Sequence, residues 1–524
     1  MQRKMTFTRE SDDEEVKRSG LTLDLDEIAK KGSMSREEAG IGKWYGVYPS
    51  RIPGNLMARI VVPAGELTTS QVRRIAKTAE NYGQGGVCIT TRQAVQYHWL
   101  KIANLPEVMR ELSKEDMTTF HGCGDVTRNT ASCQMADNCA YRKFNVLPHA
   151  RETARMLTSM RDLDNLPRKF KITFSGCSAA CAQPYINCLG FIAVTRQKGD
   201  RIQKGFKAVI GGGMGWKAFV GQNLFSFIPV DATIATARAV SLLFREYGDR
   251  YNRSKSRLKF VVHHKGIDFC REIILQHVRE QGFSIQQFEV EEVEETHKVP
   301  SRPLTDSNVN HNDDCGLVRI RIPKGELTHL QFNLIADLSE QYGNQRIVTT
   351  NRQNLELHVI DKKHQKTVEQ KIIDAGLFVD DISGLTDMVA CVGTTFCPKA
   401  VSTTRDLFDS LAVVVSDDKY KAIRESVIIN ITGCPNACSP YRISDIGFRG
   451  MRIRQELGSV EGYEILIGGD QKKFGQKLVE LKLDDCAEAT KLILDRFMKN
   501  RIENESLTDC VNRLGVGPFM EALA

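Results

Sequence analysis

The stretch Pro63–Thr68 (PAGELT) recurs 260 residues later as Pro323–Thr328 (PKGELT). The similarity extends outward in both directions. Of the forty positions in Arg59–His98, seventeen are identical in Arg319–His358. Because self-similarity at a fixed offset marks a repeated folding unit, the sequence predicts two related halves that pack about a pseudo-twofold axis.

Each repeat also has the same order of predicted elements. An apolar run of β type precedes a polar turn, and a helix then begins with Thr68 or Thr328 as its N-cap. A strand follows and ends at Thr-x-Arg-Gln, and cysteine segments with β-branched neighbours come next. The predicted class is α+β, internally duplicated.

Composition and charge exclude several classes of protein. The 524 residues are 41% hydrophobic and 26% charged, as in multidomain globular proteins. No apolar run approaches the roughly 20 residues of a membrane-spanning helix. The first twenty residues are charged and lack an apolar core, so neither a secretory signal nor a typical transit peptide is predicted, and the expected location is the cytoplasm. The net charge of +7 comes without an aromatic-interleaved basic run. We therefore expect no nucleic-acid partner, whereas an anionic ligand or acidic protein partner is compatible.

Eight of the fifteen cysteines form two sets with the same spacing. Each set is C-x5-C followed by C-x3-C, and the second pair begins 38 positions after the end of the first pair in the first set and 37 positions after it in the second. The sets are Cys133, Cys139, Cys177, Cys181 and Cys391, Cys397, Cys434, Cys438.

Four thiolates are the ligands that an iron–sulfur cubane requires. Structural zinc sites favour C-x2-4-C pairs, so x5 argues against zinc, although a zinc-stabilised scaffold stays an alternative. Without a secretion signal, disulfides are not expected. The second set is therefore predicted to bind a metal or cluster. For the first set, four free thiols stay the alternative.

Several segments together resemble the siroheme-containing sulfite and nitrite reductases, over about residues 43–520. They are TTRQAVQYH at Thr90–His98, CGDVTRN at Cys123–Asn129, LPRKFK at Leu166–Lys171, GFKAVIGGGMG at Gly205–Gly215, TGCPNAC at Thr432–Cys438 and DCVNRLGVGPF at Asp509–Phe519.

The resemblance implies that the second cysteine set holds a 4Fe-4S cluster, and that Cys438 bridges the cluster to the siroheme iron. It also implies an anion site on the free face of siroheme, which would bind the oxyanion and supply protons. The residues that match this site are Arg92, Arg128, Lys169 and Lys171.

Siroheme carries eight carboxylates, which need cations or amide donors. The basic stretch DRYNRSKSRLK at 249–259 is expected to meet some of them through Arg250, Arg253 and Arg257. A solvated basic loop is the alternative.

In the terms of this family, each half is a ferredoxin-like half-domain followed by a cluster and siroheme domain. The expected boundaries are 1–42 for a mobile, charged N-terminal extension, 43–112 and 113–288 for the first half, 289–315 for a linker, and 316–375 and 376–524 for the second half.

The substrate prediction depends on Lys171. The nitrite-reducing branch tends to carry Asn at this position, and a second ammonium group suits sulfite better. Six-electron reduction of sulfite to sulfide is therefore favoured, with reduction of nitrite to ammonia as the alternative. A non-catalytic iron–sulfur electron-transfer protein is the alternative from another class. No nicotinamide or flavin fingerprint is visible, so the expected electron donor is a ferredoxin or flavoprotein.

The duplication also implies a mirror site, with cysteines from the first half and cations from the second. The offset between the halves is 260 residues at Arg92, so Arg352 takes its place in the second half. It is 258 at Arg128 and 257 at Lys169 and Lys171, whose places are taken by Thr386, Ser426 and Ile428. We expect Arg352 to contact a cofactor, and the first cysteine set to bind a second 4Fe-4S cluster without reducing sulfite.

Overall fold

The computed structural model describes Glu14, Lys17 and residues 20–291, 299, 314–380, 382–456 and 458–524. Most of the predicted linker 289–315 lies outside the described residues. The strands are β1 Val47–Pro49, β2 Leu56–Ile60, β3 Glu66–Thr68, β4 Gly86–Ile89, β5 Val95–Leu100, β6 Ala131–Ser132, β7 Ile172–Ser175, β8 Leu189–Lys198, β9 Arg201–Ile210, β10 Gln222–Pro229, β11 Gly316–Ile320, β12 Glu326–Thr328, β13 Gly343–Thr349, β14 Leu355–Val359, β15 Val389–Ala390, β16 Ile429–Thr432, β17 Ile446–Gln455, β18 Gly458–Ile467 and β19 Gln476–Lys482.

The helices alternate with these strands in both halves. They span Leu25–Lys31, Arg36–Ile41, Thr69–Tyr82, Leu105–Ser113, Leu147–Ser159, Thr233–Tyr247, Leu258–Lys265, Ile267–Glu280, His329–Tyr342, Gln365–Asp374, Gly393–Phe396, Arg405–Val415, Cys486–Asn500, Leu507–Leu514 and Gly517–Glu521. Among the described residues, no helix has the length and apolar character needed to cross a bilayer.

Two small sheets join the halves by exchanging a strand. Their strand orders are β1-β2-β5-β4-β12 and β11-β14-β13-β3. Strand β12 of the second half pairs antiparallel with β4, and β3 of the first half pairs antiparallel with β13. Each half therefore completes the other half's sheet, and separating them would break both ladders.

The two predicted N-caps are present and hold equivalent helices. Thr68 Oγ1 accepts a hydrogen bond from the backbone N–H of Gln71 at 3.2 Å, and Gln71 Oε1 accepts from the N–H of Thr68 at 3.1 Å. Thr328 and Gln331 form the same capping box at 3.1 and 3.0 Å. The two helices share one apolar core with both small sheets, which fixes the halves relative to each other.

The two large sheets have one topology. Their orders are β10-β9-β8-β7-β6 and β15-β16-β17-β18-β19. In each sheet the three strands nearest the cysteine segments pair in parallel, and the remaining pairs are antiparallel. Each sheet has its own apolar core. The predicted α+β fold with duplicated halves is confirmed.

The N-terminal extension differs from the prediction. Residues 1–13 lie outside the described residues, but the segment from Gly20 is folded and packed, so describing all of 1–42 as mobile was wrong. Two short helices bury Ile28 and Ile41, and Trp44 donates from Nε1 to the carbonyl oxygen of Asp164 at 2.9 Å. The few apolar side chains among the charges are sufficient to anchor the segment, because they face the core of the first half.

Candidate active site

A cleft of about 570 Å³ lies where the two halves meet. Its lining includes Arg92, Lys169, Lys171 and Arg257 from the first half, together with Cys438 from the second. Because the halves exchange strands, residues more than 340 positions apart in the sequence meet at this cleft. Four cationic side chains and one thiol therefore line the same cleft.

Arg92 is held in the cleft by neutral acceptors. Its Nη1 donates to Asn187 Oδ1 at 2.8 Å, and its Nη2 donates to the carbonyl oxygens of Asn129 and Ile172 at 2.6 and 3.0 Å. Its buried Nε has no hydrogen-bond partner among the described residues. Because no carboxylate among the described residues pairs with it, the guanidinium keeps its charge for an anion in the cleft.

Lys169 and Lys171 stand in the segment that leads into β7, two residues apart, and both line the cleft. Desolvation there, followed by the charge of Arg257, lowers the pKa of Lys169 to about 7. Desolvation and then the charge of Arg92 lower the pKa of Lys171 well below its usual value. An anion in the cleft would raise both pKa values again, because it favours the charged forms.

Arg128 does not line the cleft. Its Nε and Nη2 donate to the carbonyl oxygen of Gly124 at 2.8 and 2.6 Å, and its Nη1 donates to that of Gly122 at 3.2 Å. Its charge contributes to the lowered pKa of Lys169, after desolvation and Arg257. The structure therefore places Arg128 behind the cleft, where it acts at a distance.

The basic stretch contributes Arg257 to the cleft, but neither Arg250 nor Arg253. Arg257 donates from Nη2 to Cys188 Sγ at 3.2 Å, and its Nε has no partner among the described residues. Arg253 binds both carboxylate oxygens of Asp125, at 2.5 and 3.0 Å.

Arg250 is also engaged elsewhere. It pairs with Glu14 at 3.0 Å and donates to Asn165 Oδ1 at 2.9 Å. Carboxylates of the chain itself thus pair with the two arginines that were expected to meet siroheme, and their contact with siroheme stays a prediction.

The second cysteine set surrounds the carboxyl ends of β15 and β16. Cys391 Sγ accepts hydrogen bonds from the N–H of Gly433 at 3.2 Å and from Thr432 Oγ1 at 3.8 Å. Burial, and then the charge of Cys438, raise the pKa of Cys391 to about 11. Burial also raises the pKa of Cys397 and of Cys434, and Cys438 adds to both effects.

These four thiols are thus within electrostatic reach of one another. No three His, Cys, Asp or Glu side chains among the described residues converge as the ligands of a single ion would. In a cubane cluster each cysteine binds a different iron, so its ligands do not share one point.

The first cysteine set occupies the equivalent positions around β6 and β7. Cys133 and Cys181 are in hydrogen-bond contact, and this contact and burial raise the pKa of Cys133 well above its usual value. Burial, and then the charge of Cys133, raise the pKa of Cys139 to about 11. Cys177 is buried, and its neighbour Gly176 accepts a hydrogen bond at 2.8 Å from the N–H of Lys143, in the loop that follows Cys139. The fold therefore gathers both sets.

Arg352 does not line the cleft and lies in a separate small pocket. Its Nε donates to Asp387 Oδ2 at 2.7 Å, and both side chains are buried. By the repeat offset of 258, Asp387 stands where the first half has Asn129. The retained cation of the mirror site is therefore neutralised by a carboxylate.

The comparison with protein families identifies the fold and its cysteine loops. The family described as "Nitrite and sulphite reductase 4Fe-4S domain" matches residues 123–281 and 382–524. The "Nitrite/Sulfite reductase ferredoxin-like half domain" matches residues 48–115 and 311–375. The chain belongs to the nitrite and sulphite reductase family. Members of this family are oxidoreductases, and both domains occur twice here, as the repeat predicted.

Several relatives of this reductase family match nearly the whole chain. A protein of Mycobacterium tuberculosis named sulfite reductase (ferredoxin) is 27% identical, covering 95% of this chain and 94% of its own. An assimilatory ferredoxin-dependent nitrite reductase of Haloferax mediterranei is 26% identical, covering 94% and 89%. The solved structure of the Mycobacterium tuberculosis NirA protein is 26% identical, covers 97% of each chain and has a TM-score of 0.85.

Sequence reasoning missed several neutral residues of this reductase cleft. Asn187 orients Arg92, and Thr91 and Asn351 approach from the two ferredoxin-like half-domains. Gly213 and Gly215 of the glycine-rich segment also line the cleft. Single Asn and Thr residues carry no spacing signal, so only the repeat offset, which pairs Thr91 with Asn351, could have indicated two of them.

Proposed function

We propose that this chain reduces sulfite to sulfide with six electrons, at a siroheme joined through the Cys438 thiolate to a 4Fe-4S cluster. Cys391, Cys397 and Cys434 would supply the other cluster ligands. The observation that carries the proposal is that Cys438 opens on the same cleft as Arg92, Lys169 and Lys171. An electron-transfer protein without a substrate has no use for this cluster of cations.

The residues of the cleft fit an anionic tetrapyrrole. The Nε groups of Arg92 and Arg257 are buried donors without partners among the described residues. Lys259 approaches from the same side, and a Cβ on Gly213 or Gly215 would stand 3.2 or 3.4 Å from its side chain. No carboxylate from the described part of the chain lines the cleft, so its donors and cations are suited to the many carboxylates of siroheme.

The chain's own residues bind the substrate anion and deliver protons. When bound, siroheme and the cluster supply the electrons and the iron at which the anion is reduced. Arg92 orients the oxyanion through charge-assisted hydrogen bonds. Each oxygen that leaves as water takes two protons, and Lys169 and Lys171 are placed to donate them. Their lowered pKa values make them stronger acids near neutral pH than ordinary lysines.

Lys171 favours sulfite over nitrite, because two ammonium groups beside Arg92 match a substrate with more negative charge. Relatives named for each substrate match this chain to a similar degree. Reduction of nitrite to ammonia at the same site therefore stays the second candidate. Competition between the two anions in one assay would rank them.

The donor that we propose is a ferredoxin, an external one-electron carrier. Relatives named for both substrates are also named for ferredoxin. A flavoprotein donor is the alternative, and direct assays with each reduced donor distinguish the two.

The decisive experiment combines cofactor content with turnover. Iron, acid-labile sulfide and extracted siroheme are measured on anaerobically purified chain, and sulfite and nitrite reduction are assayed with reduced ferredoxin. We expect one siroheme per chain and sulfide as product. Cys438→Ser should abolish turnover, whereas the control Cys270→Ser, which replaces a buried thiol in helix Ile267–Glu280 of the first-half core, should not. Iron without siroheme and without turnover would overturn the proposal in favour of a non-catalytic electron carrier.

A further inference from the structure

We propose that Cys133, Cys139, Cys177 and Cys181 hold a second 4Fe-4S cluster, which passes electrons toward the cleft and serves no second anion-reducing site. The binding of this cluster stands on its own observations. Only its relay role depends on the proposed function.

The two cysteine sets are built on the same backbone scaffold. Strands β6 and β7 pair in parallel at Ala131↔Thr173 and Ser132↔Phe174, as β15 and β16 do at Val389↔Asn430 and Ala390↔Ile431. The first cysteine of each set directly follows the first of these two strands, and its backbone N–H donates to a carbonyl oxygen of the neighbouring strand. Cys133 donates to Phe174 at 2.8 Å, and Cys391 donates to Ile431 at 3.1 Å.

Backbone donors to sulfur also occur at matching positions. In both sets, the backbone N–H two residues after the first cysteine acts to lower the pKa of that cysteine. This N–H belongs to Met135 in the first set and to Gly393 in the second. The N–H groups two and three residues after the second cysteine do the same. They belong to Tyr141 and Arg142 in the first half, and to Lys399 and Ala400 in the second. Loops that present N–H groups to thiolates suit a cluster, whose potential depends on such bonds.

The first set is more enclosed than the second. Cys133, Cys139 and Cys177 are 4%, 5% and 4% exposed, whereas Cys391 and Cys397 are half-buried and Cys438 is exposed. Apolar side chains, including Met135 and Leu317, pack around Cys139 and Cys181. Metal binding deprotonates such thiols, and the enclosure would shield the resulting cluster from water.

The first cysteine loop also borders the cleft. Ala182 and Gln183, which follow Cys181 directly, line the cleft, and so does Asn351. Asn351 donates from Nδ2 to the carbonyl oxygen of Cys181 at 2.7 Å. The loop that carries Cys181 therefore forms part of the wall of the cleft that Cys438 lines.

The mirror positions are not suited to reduce an anion. Asp387 neutralises Arg352, and Ser426 and Ile428 stand where the first half has lysines. The small pocket beside Arg352 also contains Glu356, a buried carboxyl group whose oxygens have no hydrogen-bond partner among the described residues. The mirror positions therefore lack the group of unpaired cations that lines the cleft.

Because the mirror positions do not support the reduction of an anion, we assign electron transfer to the second cluster. Held by Cys133, Cys139, Cys177 and Cys181, the second cluster would supply one-electron transfer from a reduced donor such as ferredoxin toward the cluster that the second cysteine set would hold. No bond forms or breaks in this transfer, and protons are consumed only at the substrate.

Iron and sulfide content test the binding directly. Anaerobically reconstituted wild-type chain should contain about nine irons and one siroheme, from two cubanes and the siroheme iron. Cys133→Ser/Cys177→Ser should lose about four irons and keep its siroheme, and Cys270→Ser should lose none. In the dithionite-reduced chain, low-temperature electron paramagnetic resonance should show a cubane signal that disappears only in the double variant.

The outcomes separate this inference from the proposed function. About five irons with one siroheme in the wild type would overturn the second cluster and leave the reductase standing. About eight irons without siroheme would support the second cluster and overturn the reductase. Where the double variant does not fold, the iron count and resonance spectrum of the wild type decide the question.

The relay role has its own readout. The folded double variant should lose at least about tenfold of its turnover with reduced ferredoxin. It should keep most of its turnover with a small reduced viologen dye that can enter the cleft. Equal turnover of variant and wild type with ferredoxin would overturn the relay.

Discussion

Thr91 Oγ1 donates a hydrogen bond of 2.8 Å to the backbone carbonyl oxygen of Cys438, 347 residues further along the chain. The repeat-related pair, Asn351 and Cys181, makes the same kind of contact at 2.7 Å. In each case the loop after a ferredoxin-like strand of one half holds the last cysteine of the other half's set. The pseudo-twofold axis thus positions both cysteine loops.

Removing the Thr91 hydroxyl should loosen the Cys438 loop. A lost hydrogen bond of this kind costs about 1 kcal/mol, equivalent to about a fivefold change in an equilibrium. We expect Thr91→Val to lose its cluster several-fold faster in air, followed by the decay of its visible absorption. Thr91→Ser keeps the hydroxyl and is the control. Identical decay in the two variants would contradict the role of this hydrogen bond.

A single carboxylate should convert the Arg92 site into a copy of the mirror site. Asn129→Asp places a carboxyl group beside Arg92, as Asp387 lies beside Arg352. The new charge would pair with the guanidinium and repel the substrate. We expect the KM for sulfite to rise at least about tenfold, or ~1.4 kcal/mol. Asn129→Ala adds no charge and should bind sulfite more nearly as the wild type does. Equal KM values for Asn129→Asp and Asn129→Ala would contradict the argument.

Lys171 should set the preference between the two anions. In Lys171→Asn we expect kcat/KM for sulfite to fall by about ten- to a hundredfold and that for nitrite to fall less, because nitrite carries less charge. Lys171→Arg retains the positive charge and serves as the control. A proportional loss for both anions would show that Lys171 contributes to turnover without discriminating between them.

Anion binding should weaken as the pH rises through neutrality. The pKa of Lys169 in the cleft is lowered to about 7, so its ammonium is present below that pH and lost above it. Bound anions shift this loss to higher pH. We therefore expect the KM for sulfite to increase with pH above about 7. Lys169→Arg should flatten this rise, because a guanidinium stays protonated. A profile that is unchanged in the variant would assign the pH dependence to the substrate's own titration.

The exchanged strands should make the halves unfold together. Leu327 of β12 is 4% exposed and packs in the sheet of the other half. Leu327→Ala should cost about 2–5 kcal/mol and lower one shared melting transition of the joined half-domains. Leu330 is 68% exposed, and Leu330→Ala should have little effect. Two separate transitions in Leu327→Ala would show that the halves are not interlocked energetically.

The duplicated fold could be predicted because its signals are local in the sequence. The repeat at Pro63 and Pro323 and the caps at Thr68 and Thr328 each depend on a few neighbouring residues, and all are present in the structure. The exchange of β3 and β12 could not be predicted, because those strands have the same sequence pattern whichever sheet they join.

The placement of the arginines shows where prediction from sequence ends. Long cationic side chains can reach many partners, and tertiary packing chooses among them. Arg253 pairs with Asp125, which is 128 residues away in the sequence, and Arg128 donates to nearby carbonyl oxygens, so neither lines the cleft. Arg352 was retained in sequence, yet Asp387 beside it changes what it can do.

The sequence by itself determined that this chain has two homologous halves, two sets of thiols and a group of cations that match one site of the family. Residue type and spacing decide these properties, since they establish which chemistry is available. Only the tertiary structure decided which cations line the cleft with Cys438, and that Arg352 is paired with a carboxylate. The reason is that charges act through their surroundings: a cation binds substrate only where the fold brings no carboxylate of its own beside it.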